Sequence, residues 1–177
     1  MKISVYCGSK FGNNPAYHQQ ALALGQWIGQ NQHTLVYGGA TNGLMGVVAD
    51  GVLNSGGQVI GVVPHDIKAF EDWHPGLTQQ LEVDNLSQRK QIMAELAGAY
   101  IALPGGPGTL EEISEMISWA RVKLHNKPCI LFNIDGYYDH LAAYLQLMVD
   151  EGFIQAEDLS LVHVVRKIRD IAKILQA

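Results

Sequence analysis

Ala99-Tyr-Ile-Ala-Leu-Pro-Gly-Gly-Pro-Gly-Thr-Leu-Glu-Glu-Ile-Ser-Glu115 decides how the chain is read. Its first five residues are a short apolar run of the kind that forms a buried strand. After it, Leu110, Ile113, Ile117, Ala120 and Leu124 recur at helical spacing. The turn between them joins a strand end to a helix start and is built from Gly105, Gly106 and Gly108. Without Cβ atoms in the way, backbone N–H groups converge there, and the helix dipole adds partial positive charge. Thr109 is placed to cap the helix with its hydroxyl or to offer that hydroxyl to a ligand. By its chemistry this is a phosphate cradle, with Glu111 and Glu112 at its lip. The plainer alternative is a tight turn whose acids complement a helix N-terminus. Two carboxylates beside an anion repel it unless one faces another part of the ligand, which favours an enzyme over a simple anion binder.

Outward from this turn, strands and helices alternate. Ile3–Cys7, Thr34–Tyr37, Gln58–Val63, Leu81–Val83, Pro128–Phe132 and Leu161–Val165 read as further strands, mostly continuous apolar runs. Between them lie helical patterns such as Tyr17, Ala21, Leu24 and Ile28. Ser87 is expected to cap one helix, which puts Arg89 and Lys90 in its first turn, where cations are unfavourable unless they answer an external anion. Trp27, Met116 and Tyr144 read as packing residues. Uninterrupted apolar strands alternating with helices predict one doubly wound Rossmann-like α/β domain over residues 1–177. Its sheet is expected to be mostly parallel, of about seven strands, with helices on both faces. Ligands of such sheets bind beyond the carboxyl ends of the strands, at the switch point. The turns after Cys7, Tyr37 and Leu103, with Ser9, Gly38, Gly39 and Gly105, lie on that edge and line one crevice.

Composition narrows the classes. A formal charge of −5 argues against an extended nucleic-acid surface. Cys7 and Cys129 are far apart and sit in apolar runs, as reduced core residues of a cytoplasmic protein do. No signal peptide or bilayer-spanning segment is read. The seven histidines show no metal-ligand spacing, so no metal is expected. The first turn, Cys7-Gly-Ser-Lys-Phe-Gly12, lacks the dinucleotide G-x-G-x-x-G, and no P-loop is present. What remains is a mononucleotide-sized site with a phosphate cradle, the cationic pair Arg89 and Lys90, and carboxylates. Cleaving a ribosyl bond generates an oxocarbenium-like centre that a carboxylate stabilises while orienting water. Arginine suits bidentate anion contact and keeps a neighbouring glutamate ionised.

Pro104-Gly-Gly-Pro-Gly-Thr-Leu-Glu-Glu112 resembles the P-G-G-x-G-T-x-x-E signature of the Lonely guy family, the cytokinin riboside 5′-monophosphate phosphoribohydrolases often labelled lysine decarboxylases. Tyr37-Gly-Gly-Ala-Thr-Asn-Gly-Leu-Met-Gly46 is similar to that family's Y-G-G-…-G-L-M-G, and Cys7-Gly-Ser9 to its C-G-S. Similarity continues through His74-Pro-Gly-Leu-Thr78, Trp119-Ala, His125-Asn-Lys-Pro128 and Gly136-Tyr-Tyr138, so it covers almost the whole chain. The resemblance implies Arg89 and Glu112 as the catalytic pair. It further implies that Lys90, Gly105, Gly106, Gly108 and Thr109 hold the nucleotide, that Glu71 contacts substrate, and that Ser118 takes the place of a hydroxyl residue. The implied reaction converts an adenine-type nucleoside 5′-monophosphate to free base and ribose 5-phosphate with no cofactor, in a homodimer. Two places depart from the pattern: Leu86-Ser-Gln-Arg-Lys90 stands for M-H-x-R-K, and Cys7-Gly-Ser-Lys10 for C-G-S-S. The alternative is a non-catalytic carrier of a phosphorylated pterin or nucleotide, because molybdenum-cofactor carriers resemble this fold. A lysine decarboxylase is disfavoured, since no Lys has a recognisable cofactor-binding context.

Overall fold

The computed structural model describes residues 1–65 and 72–176. Among the described residues seven strands form, β1 (Lys2–Tyr6), β2 (Thr34–Tyr37), β3 (Gln58–Pro64), β4 (Gln79–Val83), β5 (Ala99–Ala102), β6 (Cys129–Phe132) and β7 (Val162–Val165). The α-helices are α1 (Pro15–Gln30), α2 (Gly43–Asn54), α3 (Leu86–Leu96), α4 (Pro107–Arg121), α5 (Asp139–Asp150) and α6 (Ile168–Gln176). Strand order is β4-β3-β2-β1-β5-β6-β7, and every neighbouring pair is parallel. The expected α/β Rossmann-like sheet is therefore the observed one, parallel throughout. No helix among the described residues is long and apolar enough to cross a membrane.

The uninterrupted apolar strands have the reason the sequence suggested: both faces are covered. Ile3 and Val5 of β1 join a core with Leu24 and Ile28 of α1, Val48 and Val52 of α2 and Ile171 of α6. Tyr6, one pleat out of phase, joins the opposite core with Met93 of α3, Ile113 and Met116 of α4 and Leu145 of α5. Order reverses at β1, which has β2 on one side and β5 on the other. There the turns that follow β1 and β5 part company, leaving a crevice at the carboxyl edge.

Four local expectations are corrected. Helix α3 is capped by Asn85, whose side chain accepts from the Gln88 N–H at 2.9 Å, not by Ser87. Its helix starts at Leu86, so Arg89 and Lys90 fall one turn in rather than at the exposed N-terminus. Helix α4 has Gly106 at its cap position and no side-chain cap, so Thr109 lies inside the helix, buried. The apolar spacing also ran too far. Leu124 stands beyond the end of α4 at 69% exposure, and the buried face is Thr109, Ile113, Met116 and Ala120. Tyr144, read as a packing residue, is 57% exposed.

Helices α1 and α2 meet through glycine. A Cβ at Gly25 would run into the Val48 carbonyl oxygen and come within 3.1 Å of the Gly51 Cα, both backbone atoms that cannot swing aside. Gly25→Ala is therefore expected to overpack this contact by about 2 kcal/mol. Thermal unfolding should fall by roughly 4–8 °C for a chain of this size; an unchanged midpoint would mean the helices separate freely.

Candidate functional site

The crevice between the β1 and β5 turns is a cleft of about 420 Å³ whose walls include Gly8, Ser9, Lys10, Gly105, Gly106 and Tyr137. Its floor is a backbone bond from the Gly8 N–H to the Pro104 carbonyl at 3.0 Å. The neighbouring carbonyls are taken as well. Tyr138 donates its hydroxyl to Leu103 at 2.6 Å, Tyr137 donates its own to Gly105, and the Leu110 N–H donates to Gly106. The turn's acceptors are thus used up, while the first N–H groups of α4 have neither an intrahelical acceptor nor a capping side chain. A Cβ at Gly106 or Gly108 would meet nothing within 4 Å, so the turn is uncrowded at both positions. Gly105 differs, because a Cβ there would collide with the Thr109 hydroxyl. Electron-poor amides facing a cleft with their carbonyls engaged elsewhere suit an oxyanion.

Beside this cradle lies the second half of the site. Arg89 is 8% exposed, and its guanidinium occupies the volume that a side chain at position 38 would need. Only glycine at 38 admits it. The Arg89 Nε is buried without a hydrogen-bond partner among the described residues. Burial raises the pKa of the Cys7 thiol, Glu112 raises it further, and Arg89 opposes both. Arg89 on α3 and Glu112 on α4 thus bias the ionisation of the same thiol in opposite directions. The Tyr37 phenol is likewise raised by burial and opposed by Arg89, while burial followed by Glu112 raises Tyr6.

The remaining predicted residues divide. Ser9 lines the cleft. Gly39 (φ +87°) turns the chain out of β2, and its carbonyl accepts from the His74 N–H at 2.8 Å. His74 is in turn tied to Asp50 of α2 at 3.1 Å. That returning strip, with the Thr41 N–H donating to Asp72 at 2.9 Å, packs over the β2 turn. Glu71 lies outside the described residues. Lys90 is engaged elsewhere, with Nζ 2.7 Å from Glu111 and 3.3 Å from Glu115 of α4. Its pKa is raised, chiefly by the hydrogen bond to Glu111. Ser118 opens on a separate groove between α4 and α5, with Ile117, Leu141 and Tyr144. The paired phenols of Tyr137 and Tyr138 had no assigned role in the sequence reading. Their partners lie 32 and 35 residues upstream, and no local pattern gives such a contact away.

A family model described as "possible lysine decarboxylase" matches residues 45–175. A cytokinin riboside 5′-monophosphate phosphoribohydrolase of Rhodococcoides fascians is 45% identical over 167 residues, covering 94% of this chain and 84% of that protein. One from Arabidopsis thaliana is 44% identical over 153 residues, covering 86% of this chain and 70% of its own. Among solved structures, a molybdenum cofactor binding protein from Rippkaea orientalis superposes with a TM-score of 0.75 at 21% identity, covering 99% of this chain and 94% of its own. The molybdenum cofactor carrier protein of Chlamydomonas reinhardtii gives 0.74 at 23%, with 99% and 98% covered. At those identities the likeness is one of fold.

Both cysteines are unpaired and buried, and burial also pushes the Cys129 thiol up to about 12. Because the thiolate is the reactive form, a thiol reagent at pH 8 should find no fast-reacting group in the native protein. Both thiols should react after unfolding. A rapid native reaction at Cys7 would mean that Arg89 outweighs burial and Glu112 there.

Proposed function

This chain belongs to the Lonely guy family of cytokinin riboside 5′-monophosphate phosphoribohydrolases, and we propose that it hydrolyses the N-glycosidic bond of adenine-type nucleoside 5′-monophosphates. The products are the free base and ribose 5-phosphate. The observation that carries this reading is a buried Arg89 guanidinium seated against Gly38, beside an open glycine turn that starts the helix carrying Glu112. The 5′-phosphate takes the free amides at the start of α4, with Gly105, Gly106, Gly108 and Thr109 forming the seat and Ser9 its wall. As the bond from C1′ to the base lengthens, positive charge gathers on the ribosyl ring. Glu112 stabilises that charge and holds the attacking water. The water oxygen bonds to C1′, and its proton passes by way of the carboxylate to the departing base nitrogen. Arg89, seated against Gly38 and beside Gly39, keeps Glu112 ionised. Glu71 belongs to the same proposal through the resemblance alone.

The carrier reading has less support. The cofactor-binding neighbours are 21–23% identical, whereas the curated hydrolases reach 40–45%. The chain is further proposed to act as one nucleotide-binding domain in the cytoplasm, on AMP or its N6-substituted forms, without a nucleic-acid partner. A homodimer would form through the α4–α5 side, where Leu110, Tyr144 and Leu147 stand exposed and Ser118 lines the groove.

Incubation with AMP and with isopentenyladenosine monophosphate should release base and ribose 5-phosphate in equal amounts. No release from any nucleoside monophosphate rejects the proposal. Glu112→Gln and Arg89→Ala should each lower kcat by about 10²- to 10⁴-fold with the fold intact. Gly38→Ala should lower it too, by displacing the guanidinium; full activity in Glu112→Gln or Arg89→Ala would overturn the role assignment.

A further inference from the structure

We propose that the cation recognising the 5′-phosphate is Lys10, in the turn after β1, and that Lys90 is a positioning residue clamping α3 to α4. This rests on the cleft being the phosphoribosyl seat. Of the described side chains lining that cleft, Lys10 alone carries a charge, and it shares the walls with Gly105, Gly106 and Pro107 at the amide end of α4. No described carboxylate pairs with it. Its backbone is fixed on two sides. The Gly8 N–H bonds the Pro104 carbonyl, and the Gly8 carbonyl accepts from Leu44, both at 3.0 Å. Gly43, at φ +56°, presses against Ser9 and Lys10 so closely that a Cβ there would overlap the Lys10 N. The side chain therefore springs from a rigid base beside the cradle. This is the position where the C-G-S-S pattern has serine, so the charge is a feature of this chain.

Lys90 is placed for the other task. Its ammonium, on a side chain 20% exposed, holds two carboxylates of α4, Glu111 and Glu115. Drawing it to a phosphate would strip both of their counter-charge next to an incoming dianion. Left in place, it neutralises the lip of the site. It also locks the helix that carries Arg89 to the helix that carries Glu112, so it acts on catalysis through geometry.

Lys10→Met and Lys90→Met separate these roles when each is assayed by steady-state kinetics and by calorimetric titration with ribose 5-phosphate. Loss of a charge-assisted contact predicts that Lys10→Met weakens ribose 5-phosphate and raises KM about ten- to a hundredfold, with kcat within about twofold. Lys10→Arg should restore both, and Lys10→Met should flatten the salt dependence of kcat/KM. Lys90→Met should instead lower kcat about tenfold and leave ribose 5-phosphate affinity within about threefold, with no further loss on adding Glu115→Gln. Wild-type affinity in Lys10→Met, or an equal loss of affinity in Lys90→Met, overturns the assignment. A wild type that binds ribose 5-phosphate through Lys10 yet cleaves no nucleotide removes the hydrolytic reading alone; one that does neither removes both.

Discussion

A buried guanidinium is the most demanding object in this fold. Taking a permanent charge out of water costs several kcal/mol unless opposite charge and hydrogen bonds compensate (of order, per ion). Arg89 is nevertheless 8% exposed, with one nitrogen lacking an acceptor. The surroundings are arranged to tolerate it. Position 38 has no side chain, the buried Cys7 follows β1, and Glu112 on α4 opposes Arg89 in its influence on that thiol. Each of these depends on the parallel sheet, which brings the ends of β1, β2 and β5 to one edge and lets helices from the α3–α4 face lean over it. A protein with no use for an anion there has little reason to keep such a group.

Much of this was readable in the chain. Continuous runs such as Cys129–Phe132 announce strands covered on both faces, and the glycines after Leu103 announce a turn into a helix. The roles proposed for Arg89 and Glu112 come through resemblance, since spacing alone places neither. Other features were hidden for identifiable reasons. Asn85 and Ser87 are both good cap residues, and the choice falls to Asn85 because its side chain accepts from the Gln88 N–H three residues on. The partners of Lys90 sit on the next helix, so a dipeptide read by itself pointed to an external anion instead. Tyr144 obeys helical periodicity, but periodicity marks a face and says nothing of what covers it.

The same fold carries proteins of different occupation. Cofactor carriers share the fold over nearly the whole chain at 23% identity, while a hydrolase shares 45% of its residues over 167 positions. Function here resides in a few side chains set on a common sheet. Small exchanges at the first turn, such as the lysine at position 10, can therefore retune recognition without touching the core.

The consecutive phenols at 137 and 138 tie the cradle to a distant part of the chain. They sit at the short 3-10 turn Ile134–Gly136 after β6, and they hold the carbonyls of Gly105 and Leu103. Peptide groups are rigid planes, so pinning the oxygens also sets the tilt of the amides bonded to them. The glycine turn is thus shaped from downstream. A chain cut before residue 137 would retain the glycines in sequence yet lose the two hydroxyls that hold their peptide planes. Conversely, anything that settles against α5 gains a mechanical handle on the seat through two aromatic rings.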